Sequence, residues 1–257
     1  MKKKLALLAP AVALGLTTMA AAPAMADHAA GSYSTTLNQL NNSGASGTAW
    51  IDVNGTEATV TVKTSGLAET FMDGPYPHVQ HIHIGAQGTC PTMADDANGD
   101  GVLSTVEGQP AYGSIGTTLS LEGSTGPEAG TDITVAPSGS SYTYERTFEL
   151  NQETQDALAA GTGVVVVHGL DPANQPAAAT ETMSGLPGAE ELPLAATAPA
   201  LCGPLEMQPV GGADTGVTAS EPVASDANGT GVALLSGGLL AAAGGAYAVR
   251  RRMVADR

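Results

Sequence analysis

Residues 49–64 read AWIDVNGTEATVTVKT, and this stretch decides the fold class. Apolar and polar side chains alternate along it: Val60 and Val62 fall on one side, and their threonine and lysine neighbours fall on the other. Such a period of two is typical of a strand that is buried on one face. Asn54-Gly55 readily adopts the positive φ angles of a type I′ turn. The stretch therefore predicts a β-hairpin with strands at 49–53 and 58–64.

Five further segments have the same strand-like character. They lie at residues 33–37, 79–84, 114–121, 142–150 and 164–168. A helix is expected at 152–160, capped by Asn151 and ended by Gly161. The chain has 4% aromatic residues, 33 glycines and 16 prolines, which also favours a turn-rich β architecture. We expect an all-β domain, a Greek-key β-sandwich with one short helix, over residues 27–205.

Both ends of the chain carry targeting patterns. Residues 1–26 combine three lysines, an apolar run and a small-residue cleavage site, and so predict a cleaved signal peptide. Residues 229–249 carry no charge, would form a helix of about 30 Å, and precede a basic tail at 250–257. We expect one transmembrane helix, with a core helix as the alternative. A flexible stalk is expected at 206–228. The protein would be exported and single-pass, with its ectodomain outside and its C-terminus cytoplasmic.

The region between the two ends is strongly acidic. From residue 27 to residue 249 it has 24 acidic and two basic side chains, Lys63 and Arg146, and a formal charge of −22. Nucleic acid is excluded as a partner, because there is no basic surface to neutralise phosphates. Metal cations are favoured, although an acidic surface that only keeps the protein soluble is the alternative. Cys90 and Cys202 both lie in the exported part, where an even count favours a disulfide.

Residues 96–107, DANGDGVLSTVE, match the spacing of an EF-hand calcium loop. The oxygen ligands would come from Asp96, Asn98, Asp100, the carbonyl of Val102, Ser104 and Glu107. The alternative is an acidic, glycine-rich turn that binds nothing. Pro91 and Pro110 leave no room for long flanking helices, so we expect a structural calcium site rather than a sensor.

Four of the five histidines fall in two places, 78–83 and 168. In an extended strand His81 and His83 project from the same face about 7 Å apart. A third histidine, His168, ends another apolar strand. Three neutral imidazoles with one open position suit copper or zinc. The alternative is that backbone hydrogen bonds satisfy these rings and no metal binds.

These motifs follow one another in a recognisable order. The run is His78-x-x-His81-x-His83, Cys90, Val-Val-His168 and Ala200-Leu201-Cys202-Gly203. It resembles copper/zinc superoxide dismutases, and it resembles more closely the CHRD (chordin-type) domains, over about residues 33–172. The dismutase resemblance implies that His81, His83 and His168 are copper ligands and that His78 is not. It also implies a disulfide between the two cysteines.

The departures from the dismutase pattern matter as much as the matches. No histidine lies between His83 and His168, so the bridging and zinc-binding histidines have no counterpart. Pro199 stands where the dismutase has the arginine that guides superoxide. The negative field would also repel an anionic substrate. The calcium loop falls where a dismutase places its zinc subloop.

Three hypotheses follow for the function. The first is a non-enzymatic, membrane-tethered CHRD-type module that binds calcium and a transition metal, with no catalytic residue and with an unknown protein partner. The alternative is a copper-only, superoxide dismutase-like enzyme. Copper storage or delivery is a third hypothesis, but it predicts a Met-rich flank and the methionines are scattered.

Overall fold

The computed structural model describes residues 29–71 and 73–209. These residues form the strands β1 (Gly31–Gln39), β2 (Ser46–Asn54), β3 (Glu57–Ser65), β4 (Thr70–Phe71), β5 (Gly74–Pro75), β6 (Gln80–Ile84), β7 (Ser114–Thr118), β8 (Ser141–Glu149), β9 (Val164–His168), β10 (Pro199–Pro204) and β11 (Glu206–Met207). They also form the helices α1 (Thr105–Tyr112), α2 (Gln152–Ala159), α3 (Ala177–Glu181) and α4 (Leu194–Thr197).

The predictions for both termini concern other residues. The expected signal peptide, the transmembrane segment at 229–249, the basic tail and the stalk beyond residue 209 lie outside the described residues. In the part that is described, no helix is both long enough and apolar enough to cross a membrane.

Nine strands share one antiparallel sheet, in the order β7-β6-β9-β10-β1-β2-β3-β8, with β11 beside β1. Strand β1 joins the two halves of this sheet, because residues 31–37 pair with β2 whereas Asn38 and Gln39 pair with β10. One apolar core takes side chains from both halves, Ile51 and Val60 from one and Ile82 and Val165 from the other. The sheet therefore curls round so that its two halves face each other across the core.

The predicted hairpin is confirmed, but its turn is not. Asn54 pairs with Glu57, so the two loop residues are Gly55 and Thr56. Gly55 has a φ of 64°, and Thr56 is not among the residues with positive φ. A type I′ turn needs positive φ at both central residues, so the expected Asn54-Gly55 turn is wrong by one position. Glycine at the first central position is what a type II′ turn requires.

The other predicted strands and the helix beginning at Gln152 are confirmed, although the strand expected at 114–121 ends at Thr118. Asn151 caps that helix by accepting a hydrogen bond from the backbone N–H of Thr154, and Gly161 follows it with a φ of 69°.

Two expectations about the fold need correction. The single expected helix is one of four, because α1, α3 and α4 are only four to eight residues long and leave no readable apolar period. The sheet also continues beyond residue 205, since Tyr33 pairs with Met207. Strand β10 was missed because its two prolines and its glycine are typical of a linker.

Candidate metal centre

Two neighbouring strands carry the three histidines. Strand β6 pairs antiparallel with β9, so that His81 lies opposite Val166 and His83 opposite Val164. Because side chains alternate along a strand, both imidazoles point to one face while Ile82 points into the core. His168 ends β9, where its backbone N–H donates to the carbonyl of Val79. The pairing brings residues that are more than 80 positions apart in the chain onto one face.

The three rings form a compact triangle. Ring centroids are 5.4 Å apart for His81 and His83, 5.2 Å for His81 and His168, and 5.9 Å for His83 and His168. One nitrogen of each ring lies within 4.8 Å of the corresponding nitrogens of the other two. Among the described residues this is the one group of three or more His, Cys, Asp or Glu side chains arranged in this way.

One nitrogen of each ring is hydrogen-bonded to a backbone carbonyl. His81 Nε2 lies 3.0 Å from the carbonyl oxygen of Gly130, His83 Nδ1 lies 2.9 Å from that of Gly113, and His168 Nδ1 lies 2.7 Å from that of Thr197. A carbonyl can only accept, so in each case the imidazole N–H donates. A neutral imidazole then has a bare lone pair on its remaining nitrogen.

The remaining nitrogens are Nδ1 of His81, Nε2 of His83 and Nε2 of His168. All three are buried and have no hydrogen-bond partner. Buried polar atoms without partners are rare in folded proteins. Here they converge on one point, and their donor set, three neutral imidazole nitrogens, is that of a zinc or copper site. The residues present therefore fit a transition-metal ion.

The electrostatics keep the rings neutral. Burial lowers the pKa of His83 to about 3 and that of His168 to about 4. Burial, followed by the proximity of the other two histidines, holds the pKa of His81 well below its usual value. At neutral pH the three lone pairs are thus free of protons, which is the state that a metal ligand needs.

His78 lies apart from this triangle. Its Nδ1 faces the carbonyl oxygen of His168 and its Nε2 faces that of Ala68, both at 2.9 Å. Its ring stacks on Tyr76 at 4.7 Å. Burial lowers its pKa. A neutral ring can donate to only one of these two carbonyls, but both nitrogens are turned towards the backbone, so His78 is not part of the candidate metal centre.

The backbone around the triangle is tightly packed. Gly113 has a φ of 94°, and a Cβ there would overlap the carbonyl oxygen of Ile84. The ring of Tyr112 packs edge-on against His83 at 4.6 Å. Thr105 donates its hydroxyl to the carbonyl of Thr197, which also accepts from His168. Helix α1 therefore helps to hold the orienting carbonyls of two histidines.

The triangle lies in the wall of a cavity of ≈ 360 Å³. Apolar side chains from several loops form most of its lining. They include Phe71, Tyr76, Ile115, Ile133, Leu186 and Leu192. Among the described residues that line it, none carries a formal charge.

The predicted calcium loop folds back on its own backbone. The carboxylate of Asp96 accepts from the N–H groups of Gly99 and Gly101, and Asp100 accepts from that of Val102. Glu107 accepts from Ala97 and Asn98 with one oxygen and from Ser104 with the other. Burial raises the pKa of Glu107, but these hydrogen bonds outweigh it and leave that pKa below its usual value.

The acidic side chains of this loop do not gather as the histidines do. In the described part of the chain, Asp96, Asp100 and Glu107 form no group whose oxygens all lie within 4.8 Å of one another. Ser104 caps α1, which begins at once after it, so the loop leads directly into the helix beside His83 and His168. The helix forms although Pro110 lies in it, and it is only eight residues long.

The predicted disulfide is confirmed. Cys90 and Cys202 are bonded, with their Cα atoms 5.8 Å apart. The bond ties β10 to the loop that follows β6, and so links the two strands on either side of β9.

Sequence reasoning missed the carbonyls that orient the rings. Gly113, Gly130 and Thr197 contribute backbone oxygens, so no side-chain pattern marks them. Gly113 directly precedes the strand expected at 114–121, and a glycine at that place is the one signal that could have indicated a close backbone approach. Thr105, which hydrogen-bonds the carbonyl of Thr197, was not singled out either.

Of the comparisons with known proteins, the one with solved structures gives matches. No family model matches the chain, and no curated protein matches it. Among solved structures, superoxide dismutase 5 of Candida albicans with Cu(II) is 15% identical, with a TM-score of 0.37, over 74% of this chain and 99% of that one. A variant of that enzyme, with one glutamate replaced by glutamine, is 14% identical at the same TM-score and the same coverage.

Proposed function

We propose that this chain is an exported, membrane-tethered module of CHRD type, with a superoxide dismutase-like β-sandwich, that binds a copper or zinc ion through His81, His83 and His168. One observation carries the proposal: three buried imidazole nitrogens without hydrogen-bond partners point at one another. Each unpartnered buried polar atom costs about 1–3 kcal/mol. A cation between them would satisfy all three at once.

Backbone carbonyls of the chain orient the three imidazole rings. The carbonyls of Gly113, Gly130 and Thr197 fix which nitrogen of each ring carries the proton and which way the ring faces. Such orienting hydrogen bonds are usual around metal-bound histidines, and they raise the basicity of the ligand nitrogen. A bound ion would supply a Lewis-acid centre or, as copper, a redox centre next to the cavity.

We further propose that residues 96–107 bind calcium through Asp96, Asn98, Asp100, Val102, Ser104 and Glu107. The supporting observations are the spacing of the oxygen ligands and the compact loop, in which Asp96 and Asn98 accept hydrogen bonds from the loop's own backbone. The role would be structural, since the loop holds the start of α1 and that helix packs against the histidines.

Copper-dependent superoxide chemistry is a second candidate function. The feature that favours it is the position of the histidine triangle in a cavity wall, which would leave a bound ion accessible from one side. The missing arginine at position 199 and the negative field weigh against fast capture of an anion.

The metal proposal is tested by equilibrium loading of the protein with copper and zinc, followed by mass spectrometry of the bound ions. We expect one transition-metal ion per chain. His83→Ala should weaken binding by more than the about 10- to 100-fold that loss of an orienting partner costs. His78→Gln is the matched control, because it removes a buried imidazole outside the triangle and should leave the stoichiometry at one. No bound metal in the wild type, or equal loss in both variants, would refute the proposal.

The calcium proposal has its own control in the chain. Glu107→Gln removes the carboxylate but keeps a side chain that can complete the capping box with Ser104. A calcium chelator should lower the melting temperature of the wild type and leave that of the variant unchanged. Calcium at 100 times its Kd would stabilise the fold by about 2.7 kcal/mol. An unchanged melting curve for the wild type would contradict a structural calcium site.

The second candidate and the membrane tether need separate measurements. Superoxide consumption by the copper-loaded protein, lost in His83→Ala, would establish the enzyme; copper binding without turnover would leave the binding module. The full chain should remain with the membrane fraction, and a chain ended at residue 228 should be released. Release of both would contradict the tether.

A further inference from the structure

The cavity beside the histidine triangle has a chemical character of its own. Its walls are apolar, and flat side chains form one side, where the rings of Phe71 and Tyr76 pack with their centroids 4.8 Å apart. Pro77, Pro127 and Pro187 add further flat, rigid surfaces. A volume of ≈ 360 Å³ is in the range of pockets that hold small organic molecules.

The lining of the cavity disfavours ionic ligands. No formally charged side chain lines the cavity among the described residues, so an ion entering it would lose its hydration without gaining a counter-charge. The net charge of −22 between residues 27 and 249 further opposes anions. An uncharged molecule pays neither cost.

Hydrogen bonding adds one requirement. The rings of His81, His83 and His168 line the cavity, and each has one buried nitrogen that is an acceptor without a donor. Two other polar side chains of the lining already have partners, since Gln109 donates to Ser114 and Thr105 donates to the carbonyl of Thr197. A ligand that combines an apolar body with one hydroxyl would match the walls and could donate its single O–H to one of these acceptors.

We propose that this cavity binds a small, uncharged phenol, with its aromatic ring between the apolar walls and its hydroxyl towards His81, His83 and His168. This inference deepens the proposed function, on which it rests for its role, because it names the class of molecule that would meet a bound ion. Binding of the ring depends on the cavity alone, so it can be measured with and without metal. No electron transfer is part of the proposal.

The test is calorimetric titration of the metal-free protein with 4-methylphenol, benzoate and benzylammonium, which have similar size and different charge. We expect 4-methylphenol to bind about tenfold or more tightly than either ion, because the cavity offers no counter-charge. The same phenol should also bind the zinc-loaded protein, in which no redox change occurs. Equal affinity for the three probes, or no binding of the phenol, would overturn the proposal.

A pair of variants locates the binding. Ile133 lines the cavity and is 44% exposed, so Ile133→Glu should be tolerated by the fold while placing a charge at the rim. Leu121, which is 53% exposed and lies outside the cavity, gives the matched control Leu121→Glu. Only Ile133→Glu should weaken phenol binding, by about tenfold or more, and zinc binding should persist in both. Equal phenol binding by the two variants would refute the assigned site.

The two proposals can fail separately. Phenol binding to a protein that takes up no zinc would refute the metal site and keep the cavity ligand. Stoichiometric zinc binding without phenol binding would refute the cavity ligand and keep the metal site.

Discussion

Acid should destabilise the metal-free protein well above the pH at which carboxylates are protonated. Burial gives His83 a pKa of about 3 and His168 a pKa of about 4, and that of His81 is also well below its usual value. In the unfolded chain all three return to about 6.5. The unfolded state therefore binds more protons than the native state between these limits, and stability falls with falling pH.

The size of the effect follows from the linkage relation. Each neutral histidine contributes stability that is fully present above pH 6.5 and is lost at about 1.4 kcal/mol per pH unit below it, until the pH passes the folded pKa. From pH 7 to pH 5 this amounts to about 2 kcal/mol each for His83 and His168, and the lowered pKa of His81 adds a loss in the same direction. A domain of this size has a total stability of roughly 5–15 kcal/mol.

Urea unfolding of the metal-free protein at pH 7, 6 and 5, followed by circular dichroism, measures this loss. His83→Gln should reduce this loss by about 2 kcal/mol, which is the contribution of one titrating ring. Zinc should shift the transition to lower pH, because the ion competes with protons for the same nitrogens. A loss below about 2 kcal/mol between pH 7 and pH 5 would mean that the rings are protonated in the native state, and would refute the reasoning.

Three further substitutions test the framework around the site. Cys90→Ala with Cys202→Ala opens a bond that spans 112 residues and should cost about 5 kcal/mol in urea unfolding in the chain-entropy description; an unchanged midpoint would contradict it. Asn41→Ala removes three buried hydrogen bonds to the backbone at a residue with a φ of 52°, and should cost about 3 kcal/mol by the same assay. Gly113→Ala should displace the carbonyl that orients His83 and weaken copper binding about 10- to 100-fold, whereas Gly123→Ala, with open space around it, should leave copper binding unchanged in a metal titration.

The strands could be predicted where local chemistry and tertiary packing agree. In β2 and β3 the alternation of Val60 and Val62 with threonines matches an alternation of buried and more exposed positions. Strand β10 shows the opposite case. Its prolines and glycine have low strand propensity, but they are held between β9 and β1 with their backbone paired and their side chains mostly buried. Tertiary pairing there overrides the local preference, which a single sequence does not reveal.

Part of the candidate site could also be predicted from the sequence. The His-x-His spacing on a strand fixes two rings on one face, and the apolar run before His168 indicates a buried neighbouring strand. The pairing of β6 with β9 confirms that the three rings meet, since the largest separation of their centroids is 5.9 Å. The orienting carbonyls could not be predicted, because backbone oxygens carry no residue identity and their positions depend on three separate connections.

Those connections explain why the three rings present different nitrogens. The carbonyl of Gly130 lies on the Nε2 side of His81, which leaves Nδ1 for the centre, whereas Gly113 and Thr197 lie on the Nδ1 sides of His83 and His168. The bare lone pairs therefore converge only when the segments around residues 113, 130 and 197 are all in place. Because none of these contacts is local in sequence, the ligand set exists only in the folded domain. A metal that binds only the folded domain therefore stabilises the fold by an amount that rises with its concentration relative to its Kd, and pairing the three nitrogens is part of that affinity.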